Sequence, residues 1–224
     1  MYDKSLLSEK VAKNIEELVL NKKLKSGDKL PNEIDLSLEL NVSRSTIREA
    51  IKILVSKNIL EVRRGKGTYI GENPGIVKDP LGVKFMNKKD LLLNLFEARL
   101  IIEPEIAAIA AERITDSNLI ELEKVFNKMK EDILADRDHT ENDKNFHNVI
   151  AKSTKNPIIQ RIIPIITDSV IAGYNETKNI PKSGMSVLES HEKMYYALKD
   201  RDVESSRKCM KDIILYGYEN IKNK

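Results

Sequence analysis

The chain has 224 residues, 41% of them hydrophobic and 33% charged, which is ordinary for a soluble, helix-rich protein. No run approaches the roughly 18 apolar residues of a membrane span, and the N-terminus carries acids inside a helical pattern without a cleavage-site signature, so neither a membrane anchor nor a secretory signal is expected. A single cysteine, Cys209, excludes an internal disulfide and is too few for a structural zinc site, which points to the cytoplasm.

The net charge of +3 is unevenly spread: residues 1–72 hold 14 Lys and Arg against 11 Asp and Glu, and the remaining 152 residues are neutral. Texture changes at the same place. Short, turn-punctuated segments occupy 1–72, a Pro/Gly-containing linker covers 73–80, and long amphipathic helices fill 81–224. The expected fold is mostly α: three helices and a β-hairpin wing, joined to an antiparallel all-helical bundle.

The first helix carries Leu7, Val11, Ile15, Leu18 and Val19 on one stripe and is expected to stop near Gly27. A second helix begins after Leu30-Pro31, with Leu36, Leu38 and Leu40 as apolar contacts. Asn41 suits a left-handed turn, and Ser43 caps a third helix from Arg44 to about Lys57, which buries Ile47, Ala50, Ile51, Leu54 and Val55. Strand-like runs at 59–62 and 68–70 flank Arg63-Arg64-Gly65-Lys66-Gly67, a basic hairpin tip.

Helix, helix, tight turn, helix, hairpin is the order of a winged helix-turn-helix. The major groove, about 12 Å wide, accepts one α-helix. The leading residues Ser43, Arg44, Ser45 and Thr46, with Arg48 a turn later, are the candidate contacts, because arginine pairs with guanine and hydroxyls and helix N-terminal amides hold phosphates. Arg64 and Lys66, with Gly65 allowing close approach, are the candidate wing contacts. The alternative is a small helical domain with an exposed charged helix.

Residues 30–33 (Leu-Pro-Asn-Glu), 42–50 (Val-Ser-Arg-Ser-Thr-Ile-Arg-Glu-Ala) and 65–70 (Gly-Lys-Gly-Thr-Tyr-Ile) resemble, in order and register, the signature of the GntR family of regulators. The resemblance implies that Arg44, Thr46, Arg48 and Gly65 touch DNA. Ile34 departs from it, since many members carry a DNA-contacting arginine there.

In the second half, helices are expected over about 91–113, 115–135, 137–153, 157–178 (kinked at Pro164), 187–199 and 202–221. In the first of these, Leu92, Leu95, Phe96, Leu100, Ile101 and several alanines are expected to be buried. Three polar features stand out. Asp143 and His147, four apart, share a helical face and can chelate one ion. His191 lies on a later helix. Arg99 sits in an apolar helix and needs an anion: a ligand carboxylate, Glu103 one turn away, or a partner on another helix.

Residues 95–113 resemble the opening helix of the FCD ligand-binding domain of the FadR-type subfamily, and Asp143-x-x-Phe146-His147 and His191 sit at that family's spacing. The resemblance implies a helical bundle that binds a small organic acid beside a divalent metal such as zinc, manganese or nickel. Asp143, His147 and His191 match three of its four ligands. The fourth falls at Ile213, which cannot coordinate, and Asp212 points about 100° away. The expected function is a homodimeric transcription regulator that binds a pseudo-palindromic operator in double-stranded DNA under control of an organic acid at Arg99. The alternatives are a metal-dependent hydrolase fused to a DNA-binding head, or an architectural dimer without effector.

Overall fold

A computed structural model describes residues 4–21, 23–77, 79–87, 90–177 and 184–223. The chain divides into two compact units, Met1–Pro80 and Leu81–Lys224.

In the first unit, α1 (Lys4–Leu20) and α2 (Glu33–Glu39) both pack on α3 (Arg44–Ser56), and β1 (Leu60–Arg63) pairs antiparallel with β2 (Gly67–Ile70). Val11, Ile15, Leu36, Ile47, Leu54 and Ile70 form its dry centre. α1 ends earlier than expected, because the amides of Lys23 and Leu24 fold back onto the Leu18 carbonyl at 2.9 and 3.1 Å. Gly27, at φ 83°, instead turns the chain so that residues 27–30 run along β2, with Leu30 N–H donating to Thr68 O at 2.8 Å. Asn41 adopts the expected left-handed conformation, at φ 50°.

Three apolar positions of this unit differ from expectation. Leu38 is 76% exposed and Leu40 only half-buried, while Leu36 alone of that set is buried. On a helix, Leu36 and Leu38 point about 200° apart, so a spacing of two cannot serve one face. Val55 is likewise exposed beside buried Leu54. The Pro/Gly segment after the wing stays tied to this unit: Gly75 N–H donates to Asn58 O at 3.2 Å, and the Asn58 amide donates to Ile76 O.

The second unit holds α4 (Leu91–Arg113), α5 (Asp116–Leu134), α6 (Thr140–Ser153), α7 (Ile159–Thr177), α8 (Met185–Lys199) and α9 (Val203–Lys222). Lys178, where the fourth helix of the bundle was expected to end, lies outside the described residues. α4 is the central helix, with α9, α6 and α7 against it and α8 touching it more lightly. Its alanines, 107, 108, 110 and 111, are buried and let neighbouring helices approach. The closest approach is at Gly217 of α9, where any Cβ would collide with the Phe96 ring. Ile101, expected inside, is 78% exposed; Arg99, Glu103 and Ile106 define the buried stripe, and Ile101 lies about 200° from Arg99.

Local caps explain where these helices begin. Thr115 and Asn118 form a reciprocal capping box on α5, and the Asp202 carboxylate accepts from Ser205 N–H at 3.0 Å on α9. At the other end of α5, Asp132 accepts from Arg137 at 2.7 Å and from Asn142 at 2.6 Å, which fixes the turn that launches α6. α6 carries Asp143 and His147.

Candidate functional site

The first candidate surface is on the winged unit. The Ser43 hydroxyl accepts from Thr46 N–H at 3.2 Å and lies 2.8 Å from the hydroxyls of both Ser45 and Thr46. This cap directs Thr46 inward; at 6% exposure its side chain belongs to the cap and the core, unlike the expected surface contact. Ser43, Arg44, Ser45 and Arg48 are exposed, as are Arg64, Gly65 and Lys66 at the hairpin tip. Arg48 is not a free cation: it is clasped by Glu33 of α2. The wing is braced at its base, where the Arg63 guanidinium stacks 4.5 Å from the Tyr69 ring centre and the Tyr69 hydroxyl donates to Lys66 O at 3.2 Å. Ile34 is half exposed beside Glu33.

The second candidate site lies inside the helical unit. Arg99 is 4% exposed, and its charge is met on its own helix: Nε donates to Glu103 Oε1 at 2.5 Å. Of the partners open to Arg99 in the sequence, Glu103 on its own helix meets the charge, and His147 is its contact on another helix. The other Glu103 oxygen is 2.6 Å from His147 Nδ1, which therefore carries that ring's proton, and Arg99 Nη2 donates to His147 Nε2 at 3.1 Å. Burial pushes the Glu103 carboxyl upward, but Arg99 and His147 outweigh it and hold it down at about 2.

His191 is fixed in the same way. Its Nδ1 lies 2.8 Å from the Val187 carbonyl, so the proton sits there and the Nε2 lone pair faces the interior. That Nε2 is 3.0 Å from Asp143 Oδ1, yet it is buried with no hydrogen-bond partner. A lone pair aimed at a carboxylate oxygen is unfavourable unless a proton or a cation lies between them. Asp143 is held below the ordinary carboxylate range: burial opposes this, but a hydrogen bond from His191, formed when its Nε2 carries a proton, and the charges of His147 and Arg99 prevail.

Asp143, His147 and His191 bring one ligand atom each to within 4.8 Å of one another. Two imidazole nitrogens and a carboxylate, with both histidine tautomers set by hydrogen bonds behind them, fit a zinc, manganese or nickel ion. His147 Nε2 has a single lone pair, which Arg99 Nη2 occupies at 3.1 Å, so an ion bound there replaces that hydrogen bond. Ile213, at the expected fourth position, lines the adjoining cavity and offers no ligand atom.

That cavity, about 140 Å³, runs between α4, α6, α7, α8 and α9, with Phe96, Val170 and Ile214 on its apolar wall and Arg99, Asp143 and His147 at its polar end. His139, which the sequence reading passed over, also lines it; the ring is 5% exposed, and no hydrogen bond to it is found among the described residues. His139, Asp143 and His147 follow one another at four-residue steps, and that stripe was the signal that could have found it. Tyr174 contributes a hydroxyl whose ionisation burial pushes well above the ordinary value.

Comparison with known proteins agrees with both halves. Residues 7–70 match the family described as "Bacterial regulatory proteins, gntR family", and residues 94–215 match the FCD domain. The chain is 31% identical over 225 residues to the uncharacterized HTH-type transcriptional regulator YcbG of Bacillus subtilis, covering 97% of this chain and 94% of that one. It is 26% identical to the galactonate operon transcriptional repressor of Escherichia coli, covering 91% and 92% of the two chains. Among solved structures, the Streptococcus agalactiae GntR protein superposes with a TM-score of 0.79 at 34% identity, over 95% of this chain and 99% of that one. These relatives are transcription regulators rather than enzymes, so the hydrolase alternative is set aside. No helix among the described residues is long and apolar enough to cross a membrane. The chain belongs to the gntR family of bacterial transcription regulators, with an N-terminal DNA-binding winged helix-turn-helix and a C-terminal FCD effector domain.

Proposed function

We propose that this regulator's hold on DNA is set by a small organic acid bound in the helical unit, beside a divalent ion held by Asp143, His147 and His191. The observation that carries the proposal is the unsatisfied His191 Nε2, which lies 3.0 Å from Asp143, itself one of the residues that line a cavity with Arg99 and His147. The fixed charges reinforce it. Arg99 is already balanced by Glu103, and Lys144 by Glu141 and Asp168, so the Asp143 carboxylate is left to repel an acid. A divalent ion supplies two positive charges and an open position for a carboxylate. Arg99, His139 and Tyr174 then line the space available to the rest of the ligand. A cavity of about 140 Å³ resembles the ~150 Å³ that holds one benzene ring, which favours the short end of the carboxylate and sugar-acid class.

On DNA, Arg44, Ser45 and Arg48 are the proposed groove contacts, with Arg64, Gly65 and Lys66 on the backbone or minor groove. Ser43 and Thr46 act through the cap that presents the helix N-terminus. One recognition helix covers too little sequence for useful specificity, so a homodimer on a pseudo-palindromic operator is part of the proposal, and acid binding alters the spacing of its two heads.

A thermal-shift screen of short carboxylates and sugar acids against zinc-loaded protein tests the sensor. At least one acid is expected to raise the melting point, and only when metal is present. Metal-loaded protein indifferent to every acid favours the second reading, an architectural dimer, for which Ile213 is the supporting observation.

A further inference from the structure

The pairing of Glu33 with Arg48 carries an inference about how the head reads sequence. Glu33 opens α2 and Arg48 lies in the second turn of α3, fifteen residues apart in the chain and touching only because the two helices pack. The contact has a defined sidedness. Arg48 Nε donates to Glu33 Oε2 at 3.1 Å and Oε1 at 3.3 Å, and Nη2 donates to Oε2 at 3.0 Å. The carboxylate therefore occupies one lateral edge of the guanidinium. Nη1 makes no contact with Glu33, so the end edge, one N–H from each terminal nitrogen, stays available. The arginine side chain remains 53% exposed.

Both contacts a guanine offers in the major groove, O6 and N7, are acceptors spaced for two parallel N–H donors. We propose that Glu33 is a positioning residue that holds Arg48 with its end edge outward, so that Arg48 reads one guanine in each half-site end-on. This rests on the DNA-binding reading above and adds to it a base, an edge and the residue that fixes the edge. An unclasped arginine has several rotatable bonds and meets phosphates as readily as bases. Clasping removes that freedom before DNA arrives and cancels the charge that would otherwise favour phosphate. The pair is thus weak as an electrostatic anchor and strong as a reader. Arg44, with no such partner among the described contacts and exposed at the helix N-terminus, has the opposite character.

The sign of the effect separates this from a structural salt bridge. Removing Glu33 releases a cation and deletes an anion next to the phosphates, so binding to random DNA should strengthen and its salt dependence steepen. Discrimination at one position should fall. A bridge that merely supported the fold would, when removed, lower both.

The test is selection of bound sequences from a randomised duplex library by the full-length protein, its Arg48→Ala and Glu33→Ala variants, and the isosteric Glu33→Gln as a second probe, with melting curves to confirm that each is folded. Wild type is expected to enrich a guanine at one position of each half-site, and Arg48→Ala to flatten that position by roughly ten-fold or more. Glu33→Ala and Glu33→Gln should weaken the preference at the same position by several-fold while random-duplex affinity is kept or raised. The proposal is overturned if both Glu33 variants keep the full wild-type preference there, or if Arg48→Ala flattens no position while others stay selective. A wild type that enriches no sequence would overturn the proposal together with the DNA-binding reading beneath it, a result distinct from either.

Discussion

His191 Nε2 and Asp143 Oδ1 stand 3.0 Å apart, and no hydrogen bond joins them. The Val187 carbonyl holds the ring's proton on the opposite nitrogen, so two electron-rich atoms face each other in a buried space. That arrangement is stable only when a proton or a cation lies between them, and His147 supplies a third ligand atom within 4.8 Å. His191→Ala removes one ligand without touching the Arg99–Glu103 pair. Elemental analysis of protein purified without added metal should find substantial zinc, manganese or nickel in the wild type and little in this variant. Equal and negligible metal in both would remove the ion from the account.

Arg99 and Glu103 behave as one unit. Both are nearly inaccessible, and each satisfies the other's charge at 2.5 Å. Arg99→Met leaves the Glu103 carboxylate buried with only His147 as partner and should cost about 3–5 kcal/mol. Adding Glu103→Gln should restore part of that loss. Urea unfolding of both variants checks this; a single variant as stable as wild type would mean that the pair is not coupled.

Asp132 predicts a pH effect away from the candidate ligands. Its carboxyl is held below its ordinary value of 3.8, first by the hydrogen bond from Arg137 and further by Asn142 and nearby cations, with burial working the other way. A carboxyl depressed in the folded state contributes stability that is present above its ordinary value and is lost as the pH falls through the depressed one. The bundle should therefore soften below about pH 4, and Asp132→Asn should be less stable at pH 7 and lose less on acidification. Melting points measured from pH 7 down to pH 3 give both slopes; parallel curves for wild type and variant would contradict the assignment.

Much of the head was legible because its signals are local. Ser43, Asn41 and the 3.6-residue apolar spacing each act within one or two turns, and the cap, the left-handed turn and α3 follow from them. Leu38, Val55 and Ile101 were misassigned to the interior for a related reason: apolar character alone does not tell which side of a helix meets a neighbour. Relationships made by packing were harder to read. Arg48 with Glu33, and His147 with Glu103, join residues on different helices, and nothing in their spacing announces the contact. Arg99 was legible as a cation needing an anion, while the choice between ligand and Glu103 depended on which rotamers the core allows. His139 falls inside the helix expected over 137–153 and continues the stripe of Asp143 and His147 by one turn, but a single histidine in a charged segment gives no sign of burial; in the structure it is the N-cap of α6.

A DNA-binding head under the command of an acid-sensing bundle can be followed by fluorescence anisotropy of the metal-loaded full-length protein. The probes are a labelled duplex from upstream of the protein's own gene and a shuffled duplex of equal length, each titrated over a range of salt, with and without an acid that raises the melting point. The account predicts tighter binding to the upstream duplex, affinity that falls steeply with salt, and a change of several-fold in the specific affinity when the acid is added. Equal affinity for both duplexes, unaltered by the acid, would contradict it.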